Sequence, residues 1–208
     1  MLVREVMTTP AVTVHAGDSV RRAAEQLLAH RIASAPVLDA EDRLVGIVSE
    51  ADLLRGRTVR DPRAHLVPST PERDLPAAGV HEVMSTLPLS VRAGDDVDDA
   101  ARLLLDHGIK AAPVCEGREV VGVVARRDLL RCFARPDADV RRDVLELLAE
   151  LGQGAGWDVA VDDGVVRLAP GRGPSVPAPR GGHVAAVIAR TVPGVARVLE
   201  PAEGRAEE

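Results

Sequence analysis

Two stretches of the sequence have nearly the same form: HRIASAPV at residues 30–37 and HGIKAAPV at residues 107–114. A second pair follows them, GIVSEAD at residues 46–52 and GVVARRD at residues 122–128. A shift of 77 residues aligns the first pair, and a shift of 76 aligns the second. Ordered identities of this kind predict a duplicated unit of about 55 residues, which is small for a domain that folds alone.

Each copy has the pattern strand, helix, strand, strand, helix. The first strands are expected at residues 12–14 and 89–91, and each precedes a helix whose apolar residues recur at i, i+3, i+4 and i+7. Asp18 and Asp95 are the expected N-caps of these helices. Two short apolar strands with a polar turn follow, and the one-residue difference between the copies falls in that turn. The second helix starts near Ser49 in one copy and Ala125 in the other.

Composition limits the class of function. The net charge of −6 gives no basic field for nucleic acid, and one Trp, one Phe and no Tyr leave little for stacking on bases. No stretch reaches the roughly 18 apolar residues of a membrane span. Cys115 and Cys132 lack the spacing of a zinc site or a disulfide framework. These features predict a soluble, cytoplasmic protein without a nucleic-acid partner, an integral membrane segment or a bound metal.

The repeated motifs, together with Met7-Thr8 and Met84-Ser85 before the first strands, resemble a tandem of CBS domains, the Bateman module. The resemblance covers residues 1–134. It implies an α/β (α+β) fold in which two β-α-β-β-α units pack as a pseudo-symmetric pair. It also implies two clefts for adenosine-containing ligands and a homodimer formed through the pair.

The resemblance assigns the ribose contacts to the second motif. In the first copy, Ser49 supplies a hydroxyl and Asp52 a carboxylate that accepts bonds from the ribose hydroxyls. The alternative is that Ser49 is only an N-cap and Asp52 only a first-turn acid. In the second copy Asp128 remains but Ala125 replaces the hydroxyl, a loss of about 1 kcal/mol.

The resemblance also places two cations where related proteins hold phosphate. Lys110 and Arg127 occupy these positions in the second copy, whereas the first copy has Ala33 and Ala51. The two clefts are therefore expected to differ, with the cations only in the second. Both cations could instead be solvated surface residues.

The adenine is expected against aliphatic groups, which agrees with the scarcity of aromatic residues. These are Thr8, Val12, Ile32 and Ala33 in one cleft, and Ser85, Leu89, Ile109 and Lys110 in the other. For the four larger apolar side chains, ordinary core packing is the alternative role.

A separate unit follows the pair. Residues 138–200 predict a helix at 140–148 with Asp139 as N-cap, a hairpin turning at Asp162-Asp163, a helix at 183–191 and a final strand. This order resembles a BON domain, with a Pro/Gly-rich insertion at 170–182. The domain boundaries are then 1–56 and 80–134 for the two CBS units, 57–79 for the linker and 201–208 for a disordered tail.

Catalytic motifs such as a Walker loop, GxSxG or HExxH do not occur in the sequence. The sequence therefore predicts a non-enzymatic regulatory protein with no cofactor. Its CBS pair would sense AMP, ADP or ATP and control a partner protein. One alternative is a ligand-free CBS-BON adaptor that acts through protein association. Another, a small enzyme regulated by its CBS pair, lacks a catalytic constellation.

Overall fold

The computed structural model describes residues 1–55, 78–152, 156–171 and 181–200. Most of the predicted linker, most of the predicted insertion and the whole predicted tail lie outside these ranges. The described residues form two compact units, one spanning residues 2–126 and the other beginning at Arg127. The first unit contains most of both sequence repeats.

The first repeat has the predicted order of elements. They are β1 (Val14–His15), α1 (Val20–His30), β2 (Ser34–Leu38), β3 (Leu44–Ser49) and α2 (Glu50–Leu54). β1 lies parallel to β2, and β2 pairs antiparallel with β3. The predicted strand was placed too early, because pairing begins at Val14 rather than Val12. The apolar stripe of α1 packs on β2 and β3, forming a buried core that includes Val20, Ala23, Leu27, Ala35, Val37 and Val48.

The second repeat repeats this arrangement. Its elements are β4 (Ser85–Thr86), β5 (Val91–Arg92), α3 (Val97–Asp106), β6 (Ala111–Glu116), β7 (Glu119–Ala125) and α4 (Arg126–Phe133). β5 lies parallel to β6, and β6 pairs antiparallel with β7. Here too the first strand was predicted too early, since pairing begins at Val91.

The predicted N-caps were wrong by one residue in both copies. Ser19 caps α1 by accepting a hydrogen bond from the Arg22 amide, and Asp96 caps α3. Asp18 instead accepts a bond from the amide of His15 at 2.9 Å, at the end of β1. Asp95 does the same in the second copy, so both carboxylates hold the turn between strand and helix.

The two repeats exchange the segments that precede their first strands. We call residues 2–8 and 79–86 the lead-in segments. Thr8 pairs with Val123 of the second sheet, whereas Ser85, in β4, pairs with Ile47 of the first sheet. Val80 likewise lies in the core of the first repeat. Each copy is therefore completed by the lead-in segment of the other.

Glycine makes this exchange possible, because each lead-in segment crosses a strand at close range. A Cβ at Gly46 would lie 2.7 Å from Met84 Sδ and 2.9 Å from the Ser85 carbonyl oxygen. A Cβ at Gly122 would lie 2.7 Å from Met7 Sδ and 3.0 Å from the Thr8 carbonyl oxygen. Each methionine thus occupies the space that a side chain at the facing glycine would need.

The C-terminal unit has the predicted order of elements. They are α5 (Asp137–Glu150), β8 (Trp157–Asp162), β9 (Val165–Pro170), α6 (Gly181–Ala189) and β10 (Arg197–Leu199). The three strands form a sheet in the order β10-β9-β8, with β10 parallel to β9. Both helices contribute to its core, which includes Val140, Val144, Leu148, Trp157, Val166 and Ala186.

The hairpin turn lies one residue later than predicted. Asp163 and Gly164 form it, both with positive φ, at 49° and 71°. This conformation suits a tight two-residue hairpin and favours glycine at the second position. The carboxylate of Asp137 accepts bonds from both turn amides at 2.9 Å, which ties the hairpin to α5. Asp139 is not an N-cap, because α5 already begins at Asp137 with Pro136 before it.

The second compact unit starts at Arg127, inside the residues predicted for the second CBS unit. Most of α4 belongs to it, and contacts around Arg135 explain why. Arg135 donates to the Pro193 carbonyl oxygen at 2.7 Å and pairs with Asp143 of α5. A Cβ at Gly194 would lie 3.1 Å from the Cys132 carbonyl oxygen, so α4 lies close to the segment before β10.

Candidate functional site

The best-formed part of the predicted site is the junction between β3 and α2. Ser49 ends the strand and is the N-cap of the helix. The Asp52 Oδ2 atom accepts two hydrogen bonds from Ser49, one from its amide at 2.9 Å and one from its hydroxyl at 2.6 Å. The capping role that the sequence left open for Ser49 is therefore observed, and it uses one of the two carboxylate oxygens.

The other carboxylate oxygen has a looser environment. Asp52 Oδ1 lies 3.8 Å from a terminal guanidinium nitrogen of Arg55. The Asp52 side chain is 14% exposed and that of Arg55 is 77% exposed. An ion pair with one partner in solvent contributes little to stability, typically under about 1 kcal/mol. Asp52 Oδ1 is therefore the less strongly held of the two carboxylate oxygens among the described contacts.

The segment before β2 lies beside this carboxylate. The Glu50 amide donates to the Ala33 carbonyl oxygen at 3.0 Å, and Ser34 pairs with Ser49. Ala33 is thus held next to the start of α2, as expected for a wall of the first cleft. The side chain of Ile32 packs on the core of the first repeat, which is the alternative role considered for it.

The lead-in residues do not group as expected. Ser85 was assigned to the second cleft, but it pairs with Ile47, two residues before Ser49 of the first copy. Thr8 was assigned to the first cleft, but it pairs with Val123 of the second copy. The exchange of lead-in segments is the reason, since a repeat alignment cannot show which copy each segment completes.

The remaining apolar candidates differ in burial. Val12 and Ile109 are half-buried. Leu89 is 40% exposed, so the core-packing alternative does not hold for its side chain. Its exposure leaves it available for contact with a ligand or with another surface.

The second motif differs from the first at its cap. Ala125 replaces Ser49, and the next residue, Arg126, donates from its guanidinium to the Leu104 carbonyl oxygen at 2.8 Å. The Lys110 carbonyl oxygen accepts from the Arg126 amide at 3.0 Å, which repeats the contact between Ala33 and Glu50. The Lys110 side chain is exposed.

The other two candidates of the second motif belong to the unit that begins at Arg127. Arg127 is exposed on α4, and Asp128 is buried. Asp128 Oδ1 lies 3.4 Å from a guanidinium nitrogen of Arg131. Arg131 therefore pairs with Asp128 as Arg55 pairs with Asp52.

The sequence reasoning missed both of these arginines. The signal was present, because DLLR occurs in both copies and an i, i+3 spacing places the two charges on one side of a helix. Arg55 lies beside the Asp52 carboxylate, so the first motif also carries a cation, at a position other than those of Lys110 and Arg127.

Among the described residues, no group of three or more His, Cys, Asp or Glu side chains is arranged to hold a metal ion. Burial raises the pKa of the Cys115 and Cys132 thiols, which disfavours the thiolates that metal binding needs. A cavity of about 470 Å³ lies at the turn of the second sheet, lined by Arg92, Asp95 and Cys115 among others. These residues are not those of the predicted site.

Both motifs lie in stretches of the sequence that match a known protein family. The family model described as "CBS domain" matches residues 3–58 and 80–135, together more than half of the chain. The chain therefore belongs to the CBS domain family, with two copies of the domain. No helix among the described residues is long and apolar enough to cross a membrane.

Individual relatives match the same part of the chain. The uncharacterized protein MJ1404 of Methanocaldococcus jannaschii is 27% identical over 134 residues, which are 64% of this chain and 32% of that protein. The chain thus matches about a third of that relative's length.

Among solved structures, the CBS domain pair of protein MJ0100 in complex with 5′-methylthioadenosine and S-adenosyl-L-methionine is 26% identical with a TM-score of 0.53. The match covers 64% of this chain and 95% of the MJ0100 chain. The CBS domain of a CBS domain-containing membrane protein from Sphaerobacter thermophilus is 30% identical with a TM-score of 0.50, covering 63% and 86%.

Proposed function

We propose that this chain is a non-enzymatic regulatory protein whose CBS pair binds an adenosine-containing nucleotide, AMP, ADP or ATP, and thereby controls a partner protein. The observation that carries the proposal is that the two carboxylate oxygens of Asp52 have different partners. Its Oδ2 is held by Ser49, while its Oδ1 lies 3.8 Å from the exposed Arg55 guanidinium. A carboxylate oriented in this way is prepared to accept hydrogen bonds from ribose hydroxyls without rearrangement of the cap.

The related MJ0100 pair supports the ligand class. Both ligands in that complex contain adenosine, and the shared part is the CBS pair itself. Ser85 and Ala33 flank the Asp52 junction through backbone contacts, so small and aliphatic groups would line the base-binding surface. Such a surface requires no aromatic residue.

The second motif is proposed as a weaker ribose site with a stronger preference for phosphate. Ala125 offers no hydroxyl, and Asp128 remains as the acceptor. Lys110 and Arg127 are exposed and positively charged, which suits them to phosphate oxygens. The C-terminal unit, in the BON-like order of elements, is proposed to carry the response to the partner.

A melting experiment on the full chain tests this function. AMP, ADP, ATP and S-adenosylmethionine are added separately, with GTP as the control for base specificity. A ligand at a hundredfold excess over its Kd should stabilise the protein by about 2.7 kcal/mol. If none of the adenosine compounds raises the melting temperature, the sensor function is wrong and the ligand-free adaptor becomes the better account.

A further inference from the structure

Arg55 lies beside Asp52, where its guanidinium could also contact a ligand bound to that carboxylate. It is the cation within the motif of the first copy, residues 46–55, and its guanidinium lies 3.8 Å from Asp52 Oδ1. That oxygen is the one not engaged by Ser49. A ribose hydroxyl bound to that oxygen would lie close to the Arg55 guanidinium.

The Arg55 side chain has the freedom to move from this contact. It is 77% exposed, and the distance of 3.8 Å is longer than that of a well-formed charged hydrogen bond. Arg142 on α5, by comparison, donates to Asp139 at 2.8 Å. Displacement of Arg55 from Asp52 therefore costs little, and a guanidinium set free there keeps its strong preference for phosphate oxygens.

The same pair occurs in the second copy. Arg131 lies 3.4 Å from Asp128 Oδ1 at the same i, i+3 spacing, with 68% of its side chain exposed. The arrangement therefore accompanies both ribose-type carboxylates.

We propose that Arg55 determines phosphate selectivity in the first copy. Its guanidinium moves from Asp52 to the phosphate when a nucleotide places its ribose on Asp52 Oδ1. This inference rests on the nucleotide-binding function proposed above and adds a phosphate-binding residue where Ala33 and Ala51 supply none. The first site thereby selects nucleotides over nucleosides.

The test compares adenosine, AMP and ATP by calorimetric titration into wild-type protein, Arg55→Gln and Arg55→Lys. Asp52→Asn identifies the binding that belongs to the first site. In Arg55→Gln the affinity for ATP should fall about tenfold, the size of one charge-assisted bond. The affinity for adenosine should stay the same, because adenosine has no phosphate for Arg55 to contact. Arg55→Lys keeps the charge and should retain most of the preference for ATP.

Arg22→Gln is the matched control. Arg22 is also an exposed arginine paired with a largely buried aspartate, Asp18, but it lies on α1 outside the motif. It should leave all three affinities unchanged. The proposal is overturned if Arg55→Gln weakens adenosine and ATP by the same factor, or changes neither. If wild-type protein binds none of the three ligands, the proposed function fails and the role of Arg55 fails with it.

Discussion

Asp52 has one observed role, in holding the start of α2, and a second, proposed role in ligand binding. Its Oδ2 accepts from Ser49 and holds the start of α2, which is the capping role. Its Oδ1 lies beside Arg55 and remains within reach of a ligand. Because the Ser49 contacts use Oδ2, the proposed ribose contact at Oδ1 would not compete with them.

Lys110 provides a prediction about charge in the second copy. Lys110→Ala should weaken binding progressively more from adenosine to AMP to ATP, because it removes only attraction to phosphate. The loss should shrink as salt rises, since salt screens exposed charges over about 10 Å at 0.1 M. Arg127→Ala should behave in the same way.

Calorimetry at two salt concentrations measures both effects. Arg102→Ala is the control, since Arg102 is an exposed arginine paired with Asp98 on α3. Equal losses for adenosine and ATP would mean that Lys110 has a structural role.

Asp143 provides a prediction about pH in the C-terminal unit. The hydrogen bond from Arg135, aided by Arg142, lowers the pKa of the Asp143 carboxyl below its usual value. A lowered pKa in the folded state means that the carboxylate stabilises the protein fully above its unfolded pKa of about 3.9. That contribution is lost as the pH falls through the lowered pKa.

The free energy of unfolding should therefore differ between wild-type protein and Asp143→Asn at pH 7, and the difference should shrink below a pH of about 4. Urea denaturation at a series of pH values measures it. Asp158→Asn, at an exposed position on β8, is the control. A difference that stays constant down to a pH of about 3 would contradict the assigned ion pair.

At the scale of elements, the main surprise is the exchange of lead-in segments. The repeat alignment correctly showed that Met7 and Met84 are equivalent, and the apolar periodicity placed α1 and α3. It could not show which sheet each lead-in segment joins, because an exchanged and an unexchanged pair have the same repeat pattern. The N-caps were missed by one residue for a related reason, since Asp-Ser and Asp-Asp each offer two capping side chains in a row.

The close crossings at Gly46 and Gly122 give a prediction for these segments. Gly46→Ala should destabilise the fold by roughly 1–3 kcal/mol, because the added methyl group would press on Met84 and the Ser85 backbone. Gly122→Ala should have a similar effect through Met7 and Thr8. Urea denaturation measures both variants.

Gly17→Ala and Gly94→Ala are the controls, since an added Cβ at either position meets nothing within 4 Å. They should change the free energy of unfolding by no more than about 0.5 kcal/mol. Equal effects at all four glycines would show that the exchange does not depend on these close contacts.

At the scale of the whole molecule, exposed leucines on equivalent helices support the predicted homodimer. Leu28 on α1 is 75% exposed and Leu105 on α3 is 63% exposed. Burial of such a side chain against a second copy is worth roughly 1.5–3 kcal/mol. We expect the full chain to be a dimer by light scattering, and the double variant Leu28→Asp and Leu105→Asp to be a monomer. Leu87→Asp, at a leucine outside the helices, should remain a dimer. A wild-type monomer at high micromolar concentration would contradict the prediction.

The organisation of the molecule could be predicted from its sequence. Duplicated motifs and binary patterning placed the two repeats and the C-terminal unit in order. The helix α4 was predicted, but the contacts of Cys132 and Arg135 with the segment around Pro193 and Gly194 were not. Such contacts join residues about 60 positions apart in the sequence, and no periodicity of the sequence reveals them.

The nucleotide-binding function depends most directly on the Asp52 carboxylate. Calorimetric titration of ATP into wild-type protein, Asp52→Asn and Asp18→Asn tests it, because asparagine keeps an acceptor for the Ser49 amide but loses the charge. Asp18 is a similarly buried carboxylate that holds a turn outside the motif. We predict binding to wild-type protein, an affinity about tenfold to a hundredfold weaker in Asp52→Asn, and wild-type affinity in Asp18→Asn. Absence of binding to wild-type protein, or equal affinity in Asp52→Asn, would contradict the assignment of this site.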